Sequence, residues 1–240
     1  MFRLLLATRN PHKASEIGSL LRDLPIRLAT LDEFPQVAEV EEDGATLEEN
    51  ARKKASQCAA QSGLWALADD TGLEVAALGG APGVYSARYA GPGATYSDNN
   101  KKLVQALRGK PAGERGAVFR CVVALADPSS ETMIEEGRLE GKILASPRGK
   151  RGFGYDPLFY ISGRGKTLAE LSAKGKNALS HRAIALGKMR ARLERLVCCT
   201  AERNKDDGSI CPRCGLGLED WHCRKLCRSC GFQMDCSDFF

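Results

Sequence analysis

The stretch Leu64-Trp65-Ala66-Leu67-Ala68-Asp69-Asp70-Thr71-Gly72 restricts the fold of this 240-residue chain more than any other. A short apolar run has the length of a buried strand, and it ends in two carboxylates, a hydroxyl and a glycine. Successive strand side chains point to opposite faces. One of Asp69 and Asp70 then faces a cleft, and the other turns back toward the protein. A loop rich in glycine and proline follows, over residues 78–91. Two acids at a strand end beside such a loop can hold a divalent cation and polarise a water. Asp-Asp is also ordinary turn composition, so the pair gains meaning only from the rest of the chain.

From the N-terminus, residues 3–7 read as a buried strand. Asn10 is a good helix cap, Pro11 suits the first helical position, and Ile17, Leu20 and Leu21 give the next segment an apolar face. A strand, tight turn and helix follow in that order. The free N–H groups of the helix terminus favour phosphate, and Lys13 adds a full charge there. Residues 26–28 form a second candidate strand. Glu41-Glu42-Asp43-Gly44 is an acidic turn in which Glu41 or Glu42 can supply a second oxygen ligand to a metal. Thr46 and Glu49 have capping-box spacing at the head of a helix over 47–61, which carries Asn50, Lys53 and Lys54. A helix over 98–107 and strands over 118–126, 133–139 and 141–145 come next.

Residues 147–159 combine glycines, basic residues and the aromatics Phe153 and Tyr155, a composition that lets a loop approach a ligand and stack on a base. A short helical piece is expected over 166–172. Ser180 then caps a helix with Ala183, Leu186, Met189, Leu193 and Leu196 on one face and His181 and Arg182 in its first turn. Alternating strands and helices define an α/β or α+β domain. There is no Walker lysine motif and no dinucleotide fingerprint.

The net charge is +5, but residues 141–197 carry 13 Lys/Arg against 3 Asp/Glu. Such a segment points to an anionic partner: a nucleotide, a nucleic acid or an acidic lipid. No apolar run reaches the length of a membrane span, and residues 2–7 are too short for a signal-peptide core. A cytoplasmic protein without membrane contact is expected.

Eight of the ten cysteines fall after residue 197. Cys211 and Cys214, then Cys227 and Cys230, repeat C-x2-C followed by glycine. In a cytosolic chain that spacing reads as four thiolates around Zn²⁺, with His222, Cys223 and Cys236 as further candidate ligands. A domain over 1–197, a polar linker over 198–208 and a cysteine-rich, zinc-ribbon-like module over 209–240 follow. The tail carries about as much negative as positive charge, so nucleic acid is a poor partner for it, and its partner is open.

Together the segments 7–13 (A-T-R-N-P-H-K), 41–55, 68–75 (A-D-D-T-G-L-E-V), 78–91, 152–159 (G-F-G-Y-D-P-L-F) and 176–182 (K-N-A-L-S-H-R) resemble the inosine triphosphate pyrophosphatase-like family, the XTP/dITP diphosphatases. The resemblance covers about residues 1–197. It implies an elongated, two-lobed α/β fold with a central mixed sheet and a homodimer. It also implies Mg²⁺-dependent hydrolysis of ITP, dITP and XTP to monophosphate and pyrophosphate. By resemblance Asp70 is proton acceptor and Mg²⁺ ligand, and Glu41 is the second Mg²⁺ acid, with Glu42 adjacent. Thr8, Asn10, Lys13 and Lys54 fall on the phosphate side of the substrate, and Thr71 falls on a substrate contact where the family usually has Ser. Phe153, Gly154, Tyr155, Asp156, Lys176, His181 and Arg182 fall on the base and ribose side. Arg9 and Ala183 stand where the family usually has glycine. The alternative reading is a nucleotide-binding regulator that signals through the zinc module.

Overall fold

The computed structural model describes residues 2–129, 131–203, 211, 213, 214, 216, 218–221 and 224–235. His222, Cys223 and Cys236 lie outside the described residues. β1 (Phe2–Leu6) leads through a turn into α1 (Pro11–Leu21), and β2 (Ile26–Thr30) returns parallel beside it. α2 (Leu47–Ser62) crosses to β3 (Trp65–Val75), which lies parallel on the other side of β1. Beyond β3 the sheet is antiparallel. β4 (Pro82–Gly83) pairs with the end of β3, and α3 (Tyr96–Ala106) leads to β5 (Gly116–Ala126). β6 (Thr132–Ile143), β7 (Phe159–Ile161) and β8 (Lys166–Thr167) complete the order β2-β1-β3-β5-β6-β7-β8. α4 (Ala173–Asn177) and α5 (His181–Arg203) follow.

Local chemistry sets the helix starts. The Asn10 side chain accepts from the N–H groups of His12 and Lys13, and Pro11 needs no N–H partner. Thr46 and Glu49 close a reciprocal capping box, and Gly63 ends α2 in the left-handed region. α2 lays Leu47, Ala51, Ala55 and Ala59 on one face of the sheet. The opposite face buries Ile17 and Leu21 of α1 with Leu186, Met189 and Leu193 of α5. Each large apolar side chain buried this way contributes about 1.5–3 kcal/mol. A third cluster gathers Leu103 and Leu107 with Phe119, Leu158, Phe159 and Leu168.

β3 and β5 run through both lobes. Ala66, Leu67 and Ala68 of β3 belong to the first two clusters, whereas Leu73 and Val75 belong to the third. Asp69, Asp70 and Thr71 lie between, at the seam. They are therefore not at a strand end, as expected from the sequence, but inside a strand paired residue by residue with β5. Aspartate is a poor strand former, but its cross-strand and same-face surroundings decide, and here both faces supply partners.

Three further expectations are revised. The two strands over 133–145 are one strand, β6. The helical piece over 166–172 is β8 followed by a 3-10 turn over Leu168–Glu170. α5 continues to Arg203, into the stretch expected to be linker. The C-terminal residues form a separate antiparallel sheet of β9 (Glu219–Trp221), β10 (Arg224–Leu226) and β11 (Gln233–Asp235). Among the described residues no helix is long and apolar enough to cross a membrane.

Candidate active site

A cleft of about 730 Å³ opens over the seam. It is lined by Thr8, Asn10 and Lys13 from the first turn, Lys54 from α2, and Asp70 and Thr71 from β3. Phe153, Gly154, Tyr155, Asp156, Lys176, His181 and Arg182 line it from the other side. Every cleft residue singled out in the sequence is thus brought to one place.

Strand alternation separates the two acids. Asp69 is 1% exposed and points to the α1/α5 face. Its Oδ2 accepts from Arg182 Nε at 3.2 Å and Nη2 at 3.0 Å, and Lys13 Nζ lies 3.1 Å away. Burial alone would raise its pKa, but Lys13, Arg182 and Lys54 outweigh it and hold the carboxyl well below the ordinary range. Asp70 points to α2, where Asn50 Nδ2 donates to its Oδ2 at 3.2 Å and Lys54 Nζ stands 3.7 Å from Oδ1. Burial raises its pKa, Lys54 and Lys13 only partly offset that, and Glu42 adds to the rise.

In the acidic turn both Glu41 and Glu42 line the cleft, and Glu42 is the one paired with Lys54. Glu42 Oε1 lies 2.6 Å from Lys54 Nζ, and the neighbouring charge keeps its carboxyl below the ordinary value despite burial. Arg88 Nη2 donates to the Glu42 carbonyl at 2.9 Å. Glu41 lines the cleft but is exposed. Adjacent side chains of an extended segment point different ways, so Glu42 meets Lys54 while Glu41 lines the cleft from an exposed position. Lys54 bridges the constellation, donating to the Asp69 carbonyl at 2.6 Å. Its pKa is raised because Asp70, Glu42 and Asp69 overcome the cost of burying it.

On the other side, Asp156 Oδ2 accepts from the Phe153 N–H at 2.9 Å and from Lys176 Nζ at 2.5 Å. Gly152 adopts φ +72°, and a Cβ there would run into the Asp156 carboxylate. Glycine is therefore required for that loop to close on its own acid. The Tyr155 hydroxyl is not presented as a ligand. It is 5% exposed and donates to the Ser86 carbonyl at 2.8 Å. Phe153 is stacked on His12 at 5.2 Å, with Lys176 Nζ 4.7 Å from its ring centre. His181 is stacked on Phe119 at 4.5 Å. Its Nδ1 is buried without a hydrogen-bond partner among the described residues, and burial, then Arg182 and Lys176, push its pKa well below the usual value. Ser180 Oγ caps α5 through the Ala183 N–H at 3.2 Å.

Four contributors were not assigned from the sequence. Asn50 holds Asp70. Glu16 faces both Lys176, at 2.8 Å, and Arg182. Ser86 Oγ accepts from the Leu73 N–H at 2.8 Å, and the Tyr96 hydroxyl accepts from Asn10 Nδ2 at 3.0 Å. Glu16 was signalled by its spacing, one turn after Lys13 on the same helix. Ser86 and Tyr96 act through tertiary contacts that no local pattern encodes.

A capped helix terminus, buried lysines and two inward carboxylates, set at the seam of a two-lobed mixed sheet, define a polyphosphate-binding class of α/β protein. The chain belongs to the Ham1 family, which matches residues 4–192. It is 53% identical to a dITP/XTP pyrophosphatase of Geobacter sulfurreducens over 193 residues, covering 80% of this chain and 97% of that one. It is 50% identical to a dITP/XTP pyrophosphatase of Syntrophobacter fumaroxidans, covering 85% and 87%. The structure of a HAM1 protein from Coxiella burnetii superposes with a TM-score of 0.74 at 46% identity, covering 80% of this chain and 98% of that one.

Proposed function

We propose that this chain hydrolyses the triphosphates of deaminated purines, dITP, ITP and XTP, to the monophosphate and pyrophosphate, and so removes them from the nucleotide pool. The observation that carries the reading is the meeting of Asp70 and Glu42 with Lys13 and Lys54 beside the capped terminus of α1. The names of the Geobacter and Syntrophobacter relatives support the same substrates.

Lys13, Lys54 and the α1 terminus take up the charge of the polyphosphate. Asp70 accepts the proton of the attacking water, whose oxygen bonds to phosphorus as the bridge between the α and β phosphates breaks. Asp70 and Glu42 also fit a Mg²⁺ ion. They are hard oxygen donors turned into one cleft, and Glu42 raises the pKa of Asp70 in a way that a cation would reverse. When bound, Mg²⁺ would neutralise phosphate oxygens and lower the pKa of a bound water. Phe153 stacks on the base. His181, held neutral by burial, carries an unpaired ring nitrogen suited to reading the base edge. The working enzyme in this proposal is a cytoplasmic homodimer, and light scattering of the purified chain gives its mass directly.

The test is pyrophosphate release from dITP, ITP, XTP, ATP and GTP, with Mg²⁺ and with EDTA. Release should favour the first three, need the metal, and fall about 10³-fold in Asp70→Asn. Tight binding of these nucleotides by the wild type without turnover would instead select the regulator reading. In His181→Ala the preference for ITP over ATP, as a ratio of kcat/KM values, should fall roughly tenfold, the worth of one hydrogen bond. An unchanged ratio removes His181 from base recognition.

A basic segment that serves nucleic acid would leave its cations free. Here Lys176 and Arg182 face Glu16, and Asp156 and Asp69 respectively. Arg148 faces Glu170 and Arg192 faces Glu135. Two of these four cations, Lys176 and Arg182, line the cleft, which favours the nucleotide reading.

A further inference from the structure

We propose that Cys211, Cys214, Cys227 and Cys230 form a closed tetrathiolate site for one structural Zn²⁺ ion, and that this ion folds the C-terminal sheet. The four sulfurs lie within 4.8 Å of one another. Cys211 Sγ and Cys230 Sγ are 3.6 Å apart, and Cys214 Sγ and Cys227 Sγ are 3.4 Å apart. Zn–S bonds of about 2.3 Å at tetrahedral angles require sulfurs roughly 3.8 Å apart, close to both separations. All four are free thiols rather than disulfides.

The backbone around them is built twice in the same way. The Cys211 N–H donates to the Leu216 carbonyl at 2.7 Å, and the Cys227 N–H donates to the Phe232 carbonyl at 2.8 Å. The Leu216 N–H donates to Cys214 Sγ, and the Phe232 N–H donates to Cys230 Sγ. The N–H groups of Ser229 and Cys230 donate to Cys227 Sγ. Gly231, at φ +71°, makes the turn after the second pair.

Energetics points the same way. Cys211 and Cys227 are buried. The sheet has three strands of three residues each. A unit this small needs a staple, and ligand binding then supplies the folding free energy.

Zinc rather than iron fits the surroundings. Cys214 is exposed, so a redox-active iron would meet solvent, whereas zinc is redox-inert. Zinc also lies above Fe²⁺ in general affinity for such ligands. Four thiolates complete the tetrahedron, so the site has no open position for catalysis and no need of His222, Cys223 or Cys236.

The experiment uses the full chain, passed through EDTA to clear the acidic cleft, with metal measured by mass spectrometry. The expected content is about one zinc per chain, released only when a mercurial titrates the thiols. Cobalt exchange should give the intense thiolate charge-transfer bands of a four-sulfur site. Cys227→Ser and Cys214→Ser should lose at least tenfold in retained zinc, whereas Cys223→Ser and Cys236→Ser should keep it. Metal-free wild type with alkylatable thiols, a Cys211–Cys230 or Cys214–Cys227 disulfide, or iron in place of zinc would each overturn the proposal. Loss of zinc in Cys223→Ser or Cys236→Ser would overturn the ligand set.

Discussion

Asp69 and Asp70 are adjacent in sequence and opposite in surroundings. A strand that turns them to different faces gives one a cage of cations and the other a shared acidic cleft. The two environments drive their pKa values apart, a common way to separate a fixed charge from a working one. Asp69 holds Arg182 and Lys13 in place. Asp69→Asn leaves the Arg182 guanidinium, 1% exposed, with Glu16 as its remaining carboxylate. About 3 kcal/mol of stability should go, toward the lower end for a broken buried pair. The folded pKa of Asp69 lies below its unfolded value of 3.8. Its contribution is therefore complete above that value and lost as pH falls below it. The urea midpoints of wild type and variant should be furthest apart near neutral pH and converge under acid. A gap independent of pH would deny the pair its role. That one acid faces the cleft was legible from alternation alone. That Glu42 pairs with Lys54 was not, because an acidic turn has no period from which to read a face.

At the scale of elements, the starts of α1, α2 and α5 were legible because their caps are local: Asn10, Thr46 and Ser180 each satisfy N–H groups within a few residues. The extent of β3 was not, since it depends on pairing with β5, which lies far off in sequence, and the unity of β6 was not, since pairing with β5 carries it unbroken across Gly137 and Gly141. Gly137 shows the same limit. In the sequence it interrupts a strand pattern, yet it is the point where α5 touches β6. A Cβ at Gly137 would run into the His181 carbonyl and lie 2.5 Å from the Ala185 N. Both are backbone atoms and cannot yield by rotating a side chain. Gly137→Ala should therefore push away the first turn of α5, which carries His181 and Arg182. It should cost about 1–3 kcal/mol by chemical denaturation and lower kcat/KM at least tenfold even where the protein is fully folded. Lost stability with intact kcat/KM would mean that the cleft tolerates a displaced α5.

For the whole molecule, the division of labour follows from where the residues come from. Residues 4–192 match the Ham1 family, and the residues lining the cleft run from Ala7 to Arg182. The apolar clusters of the main sheet end with Leu196 of α5. Nothing that binds or cleaves substrate in the proposal lies after that point. Ending the chain after Arg203 keeps every cleft side chain and every α5 residue of the main-sheet cluster. Such a truncation should fold with its main unfolding transition intact and hydrolyse dITP with kcat/KM within about twofold of the full chain, because no transition-state contact is removed. The zinc content should fall to background in the same sample. A loss of tenfold or more in kcat with KM unchanged would show that the tail acts on the chemical step, which the position of the cleft at the lobe seam gives no reason to expect.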